Sequence, residues 1–61
     1  MNALATRIAG MTTAQIRAAV FAIGGGQVDE DRRAVRYYLL TEFEARMGED
    51  AIDALHDELG M

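Results

Sequence analysis

The chain has 61 residues, of which 51% are apolar and 26% are charged, and its formal net charge is −4. It contains no cysteine, which excludes disulfides and thiolate zinc sites, and it is too apolar for a disordered acidic tail. A chain this short predicts one domain, residues 1–61, whose small core needs support, and of the usual supports oligomerisation is favoured.

The residue content predicts the fold class. There is no proline, and eleven of the residues are alanine, which favours helices throughout. The predicted fold is all-α, a small bundle of three to four short helices that homo-oligomerisation completes, with a dimer favoured. The longest apolar stretch, residues 18–23, is far shorter than the roughly 20 residues that span a membrane. No signal peptide is visible either, so we expect a cytoplasmic protein without a membrane partner.

Apolar spacing and capping residues predict where the helices begin and end. Thr12 and Gln15 have the spacing of a capping box, and Asp29 is an N-cap residue. The glycines at 24–26 and Gly48 are helix stops. The predicted helices span about residues 3–9, 13–23, 30–47 and 50–59.

Helical periodicity also predicts which side chains face inward. The second helix is apolar on nearly all sides, so it is either central to the bundle or part of an interface. On the third helix the row Tyr38, Glu42 and Arg46 is predicted to face away from the core, with Glu42 and Arg46 paired. The predicted inward positions are Ile16, Ala19, Val20 and Ile23, then Leu39, Leu40, Phe43 and Met47, then Ile52, Leu55 and Leu59.

The segment "FAIGGGQVDED" invites comparison with a phosphate-binding loop. In such loops glycine backbone N–H groups and a helix N-terminus contact the anion. Here the following turn carries three acids, Asp29, Glu30 and Asp31, which repel phosphate, and the lysine and Ser/Thr of a P-loop are missing. The order of the acids does not match a calcium-binding EF-hand either. The glycines are interpreted as a joint between two helices.

The second and third helices also suggest a helix-turn-helix, with Arg32, Arg33 and Arg36 on its second helix. Recognition helices present their first turn to DNA, whereas this helix presents acids there. The net negative charge adds repulsion. Nucleic-acid binding is therefore disfavoured, and the alternative is that these arginines pair with nearby acids on a solvated face.

Catalytic and metal-binding residues are not evident. The row Glu49, Asp53 and His56 shares one helix face, but single-histidine rows on acidic helices are usually solvated. The only histidine has no cysteine or serine to act with, and so short a chain leaves little room for a substrate pocket. We expect no enzyme activity, no metal, no cofactor and no small-molecule substrate.

Acidic residues accumulate toward the C-terminal end. Their spacing would allow these carboxylates to imitate the phosphates of DNA. The chain would then bind the basic groove of a nucleic-acid-binding protein by electrostatic complementarity and inhibit it. The alternative is a solvated face that maintains solubility. The residues of this acidic face are Glu42, Glu49, Asp50, Asp53, Asp57 and Glu58.

Aromatic side chains on the remaining faces favour protein binding, because tyrosine and phenylalanine are enriched at interfaces. Tyr37 and Tyr38 are adjacent and cannot both enter one small core, so one of them either contacts a partner or packs on the bundle surface with its hydroxyl in water. The predicted interface residues are Phe21, Tyr37, Tyr38, Val20 and Ile23.

The segment "RRAVRYYLLTEFEARMGEDAIDAL", residues 32–55, and the use of arginine as the only basic residue resemble small accessory proteins of phages that infect high-GC actinobacteria. The resemblance is compositional, and it implies a protein that binds or modulates a host or phage protein. The function expected is thus that of a non-catalytic, self-associating protein-interaction module. The alternatives are an acidic DNA mimic and a helix-turn-helix DNA binder.

Overall fold

Four α-helices make up the fold in the computed structural model, which describes residues 3–61. The first two residues of the predicted domain lie outside this range. The helices are α1 (Ala3–Ala9), α2 (Thr13–Ile23), α3 (Glu30–Met47) and α4 (Glu49–Leu59). The all-α bundle predicted from the sequence is confirmed, and α4 begins one residue earlier than expected.

The capping residues act as their sequence positions indicate. The Gln15 backbone N–H donates to Thr12 Oγ1 at 3.1 Å, and the Thr12 N–H donates to Gln15 Oε1 at 2.9 Å, so the capping box is complete. Asp29 Oδ1 accepts from the Arg32 N–H at 2.8 Å at the start of α3. Gly48 has φ +94° and alone separates α3 from α4, a backbone conformation that favours glycine.

The core lies along α3, which packs against each of the other three helices. Most predicted inward positions are confirmed, and partly buried side chains such as Leu4, Ala19, Ile23, Leu40 and Leu59 pack around the core. This makes α3 the central helix, rather than α2. The fully buried core consists of Ile8, Ile16, Val20, Leu39, Phe43, Ile52 and Leu55.

Three predicted side-chain orientations on α3 are wrong. Met47 was expected inside, but its side chain is 53% exposed, because the chain turns at Gly48 immediately after it. Tyr38 and Arg46 were expected to face solvent, but Tyr38 packs against the core and Arg46 turns toward the end of α1. Arg46 is covered because the end of α1 lies against this part of α3.

Arg46 fastens the end of α1 to α3. Its guanidinium donates to the Met11 carbonyl at 2.6 Å and to the Ala9 carbonyl at 2.9 Å, with a longer bond of 3.4 Å to the Ile8 carbonyl. Its Nε binds Glu42 Oε2 at 2.8 Å, which confirms the predicted pair. The last carbonyls of a helix have no hydrogen-bond donor within the helix, and Arg46 supplies donors to those at the end of α1.

Arg36 fastens the glycine segment in a similar way. One guanidinium nitrogen, Nη1, donates to the Gly24 carbonyl at 2.7 Å and to the Gly26 carbonyl at 2.8 Å. Gly24 has φ +85°. Gly25 lies against the end of α4, where an added Cβ would collide with the Leu59 carbonyl oxygen and lie 2.9 Å from Met61 Cγ. The glycine segment is therefore packed against Arg36 of α3 and against the end of α4.

The bundle is thin, with dimensions of 31 × 26 × 16 Å. Packed helix axes lie about 8–10 Å apart and Cα atoms lie about 2.3 Å from each axis. The shortest dimension therefore leaves room for no more than two helix layers. The outer side of α3 carries the exposed side chains of Arg33, Tyr37 and Glu44.

Candidate functional site

An open cleft lies between the outer side of α3 and α4, with a volume of about 210 Å³. Its apolar floor includes Leu40, which is half-buried, and Ile52, which is buried. Polar groups stand around this floor. The cleft is lined by Tyr37, Leu40, Thr41, Glu44, Ile52 and His56.

Tyr37 is the most exposed large apolar side chain of the described residues, at 66%. Its ring meets the Tyr38 ring edge to face, with centroids 5.7 Å apart. One turn further along α3, Thr41 Oγ1 donates to the Tyr37 carbonyl at 2.8 Å. The Thr41 hydroxyl is therefore already hydrogen-bonded within the helix. The phenol ring of Tyr37 is left as the prominent wall of the cleft.

The two neighbouring tyrosines diverge, as their adjacency in sequence requires. Tyr38 is half-buried and packs against the core, whereas Tyr37 points to the cleft. The two rings therefore do not both enter the core, as predicted, and Tyr38 of the predicted interface packs against the core instead. Tyr38 belongs mainly to the fold.

The prediction that Val20 lies at an interface is wrong, because its side chain is fully buried inside the protomer and cannot contact a partner. Its place on α2 faces α3, so the inward stripe and the predicted interface overlapped at this position. Ile23 is half-buried and packs against the same core. Both residues stabilise the protomer.

Phe21 is 39% exposed on α2. The Arg17 guanidinium carbon lies 4.7 Å from the centre of its ring, which is within the range of a cation–π contact. Arg17 also forms an ion pair with Glu58 of α4 at 2.7 Å. The exposed face of Phe21 is thus partly covered by a side chain of its own protomer.

The acidic face divides into two groups. Glu42 and Glu58 are engaged by Arg46 and Arg17. Among residues 3–61 the other four acids form no ion pair and are exposed, as expected for a solvated helix surface. These four are Glu49, Asp50, Asp53 and Asp57.

The glycine loop has the opposite polarity to a phosphate site, because the Gly24 and Gly26 carbonyls converge on a cation, Arg36. The Gly24 N–H is taken by the Val20 carbonyl at 2.8 Å. The expectation that Arg36 pairs with nearby acids is wrong for this reason. Arg32 and Arg33 are exposed and form no ion pair within the described chain.

The helix-turn-helix reading finds little support in the geometry. A recognition helix presents its first turn to the major groove, and α3 is the helix that would take this position after the glycine segment. Its first turn carries Glu30 and Asp31 beside the Asp29 cap. The first turn would therefore bring three carboxylates toward DNA phosphates.

Neither a metal-binding cluster nor a membrane-spanning helix is present within residues 3–61. No set of three histidine and acidic side chains is close enough together to hold a metal ion there, and this includes the row Glu49, Asp53 and His56. In the same range no helix has both the length and the apolar character needed to cross a bilayer.

Comparison of the chain with protein-family models, with curated proteins and with solved structures gave no match.

Sequence reasoning identified Tyr37 but missed the rest of the cleft. Leu40 was assigned wholly to the core, and Glu44 and His56 were given no role in a shared site. One signal was available: positions 33, 37, 40 and 44 are spaced by four, three and four residues, which places them in one row on α3. The contribution of Ile52 and His56 depends on how α4 folds back, which spacing within one helix does not show.

Proposed function

We propose that this chain is a non-catalytic protein-interaction module that self-associates, with a homodimer as the favoured form. The observation that carries the proposal is the 66% exposed Tyr37 ring beside an open cleft with an apolar floor. A tyrosine ring combines a large apolar area with few rotatable bonds, and such side chains dominate the binding energy of many interfaces. The uncovered outer side of α3 supports the same proposal.

Tyr37 is a better anchor than Phe21 for a physical reason. Arg17 covers part of the Phe21 ring and is itself held by Glu58. A partner that binds Phe21 must displace this arginine or pack around it. Tyr37 carries no such cover, so its burial against a partner costs less reorganisation.

Binding of a host or phage protein forms the second part of the proposal and rests on the compositional resemblance to phage accessory proteins. Such a partner would meet whatever surface self-association leaves open. The exposed face of α4, with Asp50 and Asp57 directed away from the core, favours a partner with a basic surface.

An acidic DNA mimic remains the second candidate function, and the observation that favours it is the set of four exposed acids of α4 without ion pairs in the described chain. Salt separates the two candidates. A mimic complex depends on charge and dissociates as the Debye length falls to about 5 Å or less near 0.5 M salt, whereas a complex with an apolar centre persists.

Substitution of Tyr37 by alanine tests the proposal. In sedimentation equilibrium from low micromolar to near-millimolar protein, Tyr37→Ala is expected to raise the dimer dissociation constant by roughly tenfold, since truncation of an interface aromatic commonly costs 1 kcal/mol or more. Phe21→Ala is the matched control, an exposed aromatic on another helix, and is expected to change the constant by less than about twofold.

Two results contradict the proposal in different ways. An unsubstituted chain that stays monomeric over the whole concentration range would exclude self-association. A dimer that Phe21→Ala weakens and Tyr37→Ala does not would place the interface on α2 instead. Circular dichroism of each variant checks that its helices are intact.

A further inference from the structure

The outer row of α3 carries opposite charges at its two ends, with the aromatic and apolar groups between them. In chain order the row consists of Arg33, Tyr37, Leu40 and Glu44. At 1.5 Å per residue, the two charged residues lie about 16 Å apart along the helix. Leu40 is half-buried and the other three side chains are exposed.

We infer that the occupant of the α3–α4 cleft is a second copy of this chain, whose α3 packs antiparallel to the first; the inference rests on the proposed self-association. In this arrangement Arg33 of each copy meets Glu44 of the other. Tyr37 of each copy then meets Leu40 of the other, because both pairs of positions are symmetric about the same point of the helix. Such a contact is isologous and closes as a dimer.

Both charged residues are available for this contact. Among residues 3–61, Arg33 and Glu44 take part in neither of the ion pairs. By contrast, Arg36 and Arg46 of the same helix are occupied by backbone carbonyls of their own protomer. Arg33 is thus a cation on the outer row that the fold leaves without an ion-pair partner.

Charge order also selects the direction of packing. A parallel pair of α3 helices in register would bring Arg33 against Arg33 and Glu44 against Glu44, which disfavours it. The antiparallel pair converts both contacts into opposite-charge pairs. At the centre, the Tyr37 ring of each copy enters the cleft of the other, where Ile52 and His56 of α4 form the far wall.

Charge reversal tests the inference. Arg33→Glu alone makes both terminal contacts of a homodimer acidic, and Glu44→Arg alone makes both basic. Each is expected to raise the dissociation constant by roughly tenfold in sedimentation equilibrium at low salt. An equimolar mixture of the two variants is expected to recover a dimer, because the heterodimer has an opposite-charge pair at both contacts.

Two control variants carry the same charge changes outside the row. They are Arg32→Glu, one position along α3, and Asp57→Arg, on the exposed surface of α4; both native residues are exposed and form no ion pair in the described chain. Each alone is expected to change the constant by less than about threefold, and mixing the two is expected to leave the constant the same as for either variant alone. Circular dichroism of every variant confirms that it is folded.

The outcomes separate this inference from the function on which it rests. Recovery of a dimer in the mixture of row variants, without recovery in the control mixture, supports the antiparallel contact. A stable dimer that is indifferent to both reversals overturns the inference and leaves self-association standing. A chain that is monomeric at every concentration overturns both.

Discussion

Replacing Arg46 with methionine would remove the group that fastens α1 to the bundle while retaining a long side chain at that position. The variant loses the bonds to the Met11 and Ala9 carbonyls, at 2.6 and 2.9 Å, and the ion pair with Glu42. α1 has seven residues, which is too short to be stable alone. Its position in the fold depends on a few apolar contacts and on this arginine.

The expected cost follows from these contacts. Hydrogen bonds to a charged group contribute about 1.5–3 kcal/mol each in buried surroundings. The Arg46 side chain is 23% exposed, and water therefore replaces part of what is lost. We expect the free energy of unfolding to fall by about 2–3 kcal/mol, a large share of the roughly 3–9 kcal/mol available to a domain of this size.

Urea unfolding followed by circular dichroism measures this change. With a slope of about 1 kcal/mol per molar urea, the midpoint is expected to fall by roughly 2–3 M. Arg32→Met is the matched control, because Arg32 is exposed and without an ion pair in the described chain, and a change below about 0.5 kcal/mol is expected. Amide hydrogen exchange should show the loss of protection concentrated in α1.

A free energy of unfolding for Arg46→Met within about 0.5 kcal/mol of the parent would refute this reasoning. So would a variant that is destabilised while its α1 amides remain as protected as those of α4. Either result would mean that apolar contacts, and not the arginine, position α1.

The remaining predictions concern the glycine loop and the core. Gly25→Ala is expected to lower the free energy of unfolding by about 2 kcal/mol or more, because the new Cβ collides with Leu59. Gly26→Ala, where nothing lies within 4 Å of the added Cβ, is expected to be neutral or stabilising by up to about 1 kcal/mol; equal effects of the two in urea unfolding would contradict the packing. Ile16→Ala empties a fully buried site and is expected to cost about 2–5 kcal/mol; a melting temperature near that of the parent would contradict its place in the core.

The helices could be predicted from the sequence because their signals are local. Thr12, Gln15 and Asp29 act within one turn, and Gly48 ends α3 through its own backbone conformation. Inward faces followed from the helical period for residues such as Leu39 and Leu55. Each of these features depends on residues at most four positions apart.

The arginine contacts between helices could not be predicted in the same way, because they join distant parts of the chain. Arg46 and Met11 are 35 positions apart, and Arg17 and Glu58 are 41 apart. The helical period placed Arg46 opposite the core of α3, and only the position of α1 shows that this side is covered. For the same reason α2, apolar on most sides, was considered for the centre of the bundle.

The cleft was partly predictable. That two adjacent tyrosines diverge could be predicted, but the helical period placed Tyr38 in the outward row, whereas Tyr37 is the exposed one. The row from Arg33 to Glu44 is readable from its spacing. The far wall of the cleft requires α4 to return alongside α3. That return depends on the single-residue turn at Gly48, whose direction the residues on either side do not reveal.

A dilution series of the ¹⁵N-labelled chain, followed by two-dimensional amide NMR from near-millimolar to low micromolar concentration, shows directly whether the chain self-associates and through which surface. Self-association through the outer row of α3 predicts concentration-dependent shifts at Tyr37, Leu40 and Glu44, and at His56 across the cleft. The outer side of α2 around Phe21 should not change. Spectra that are the same at every concentration, or shifts confined to α2, would contradict the account.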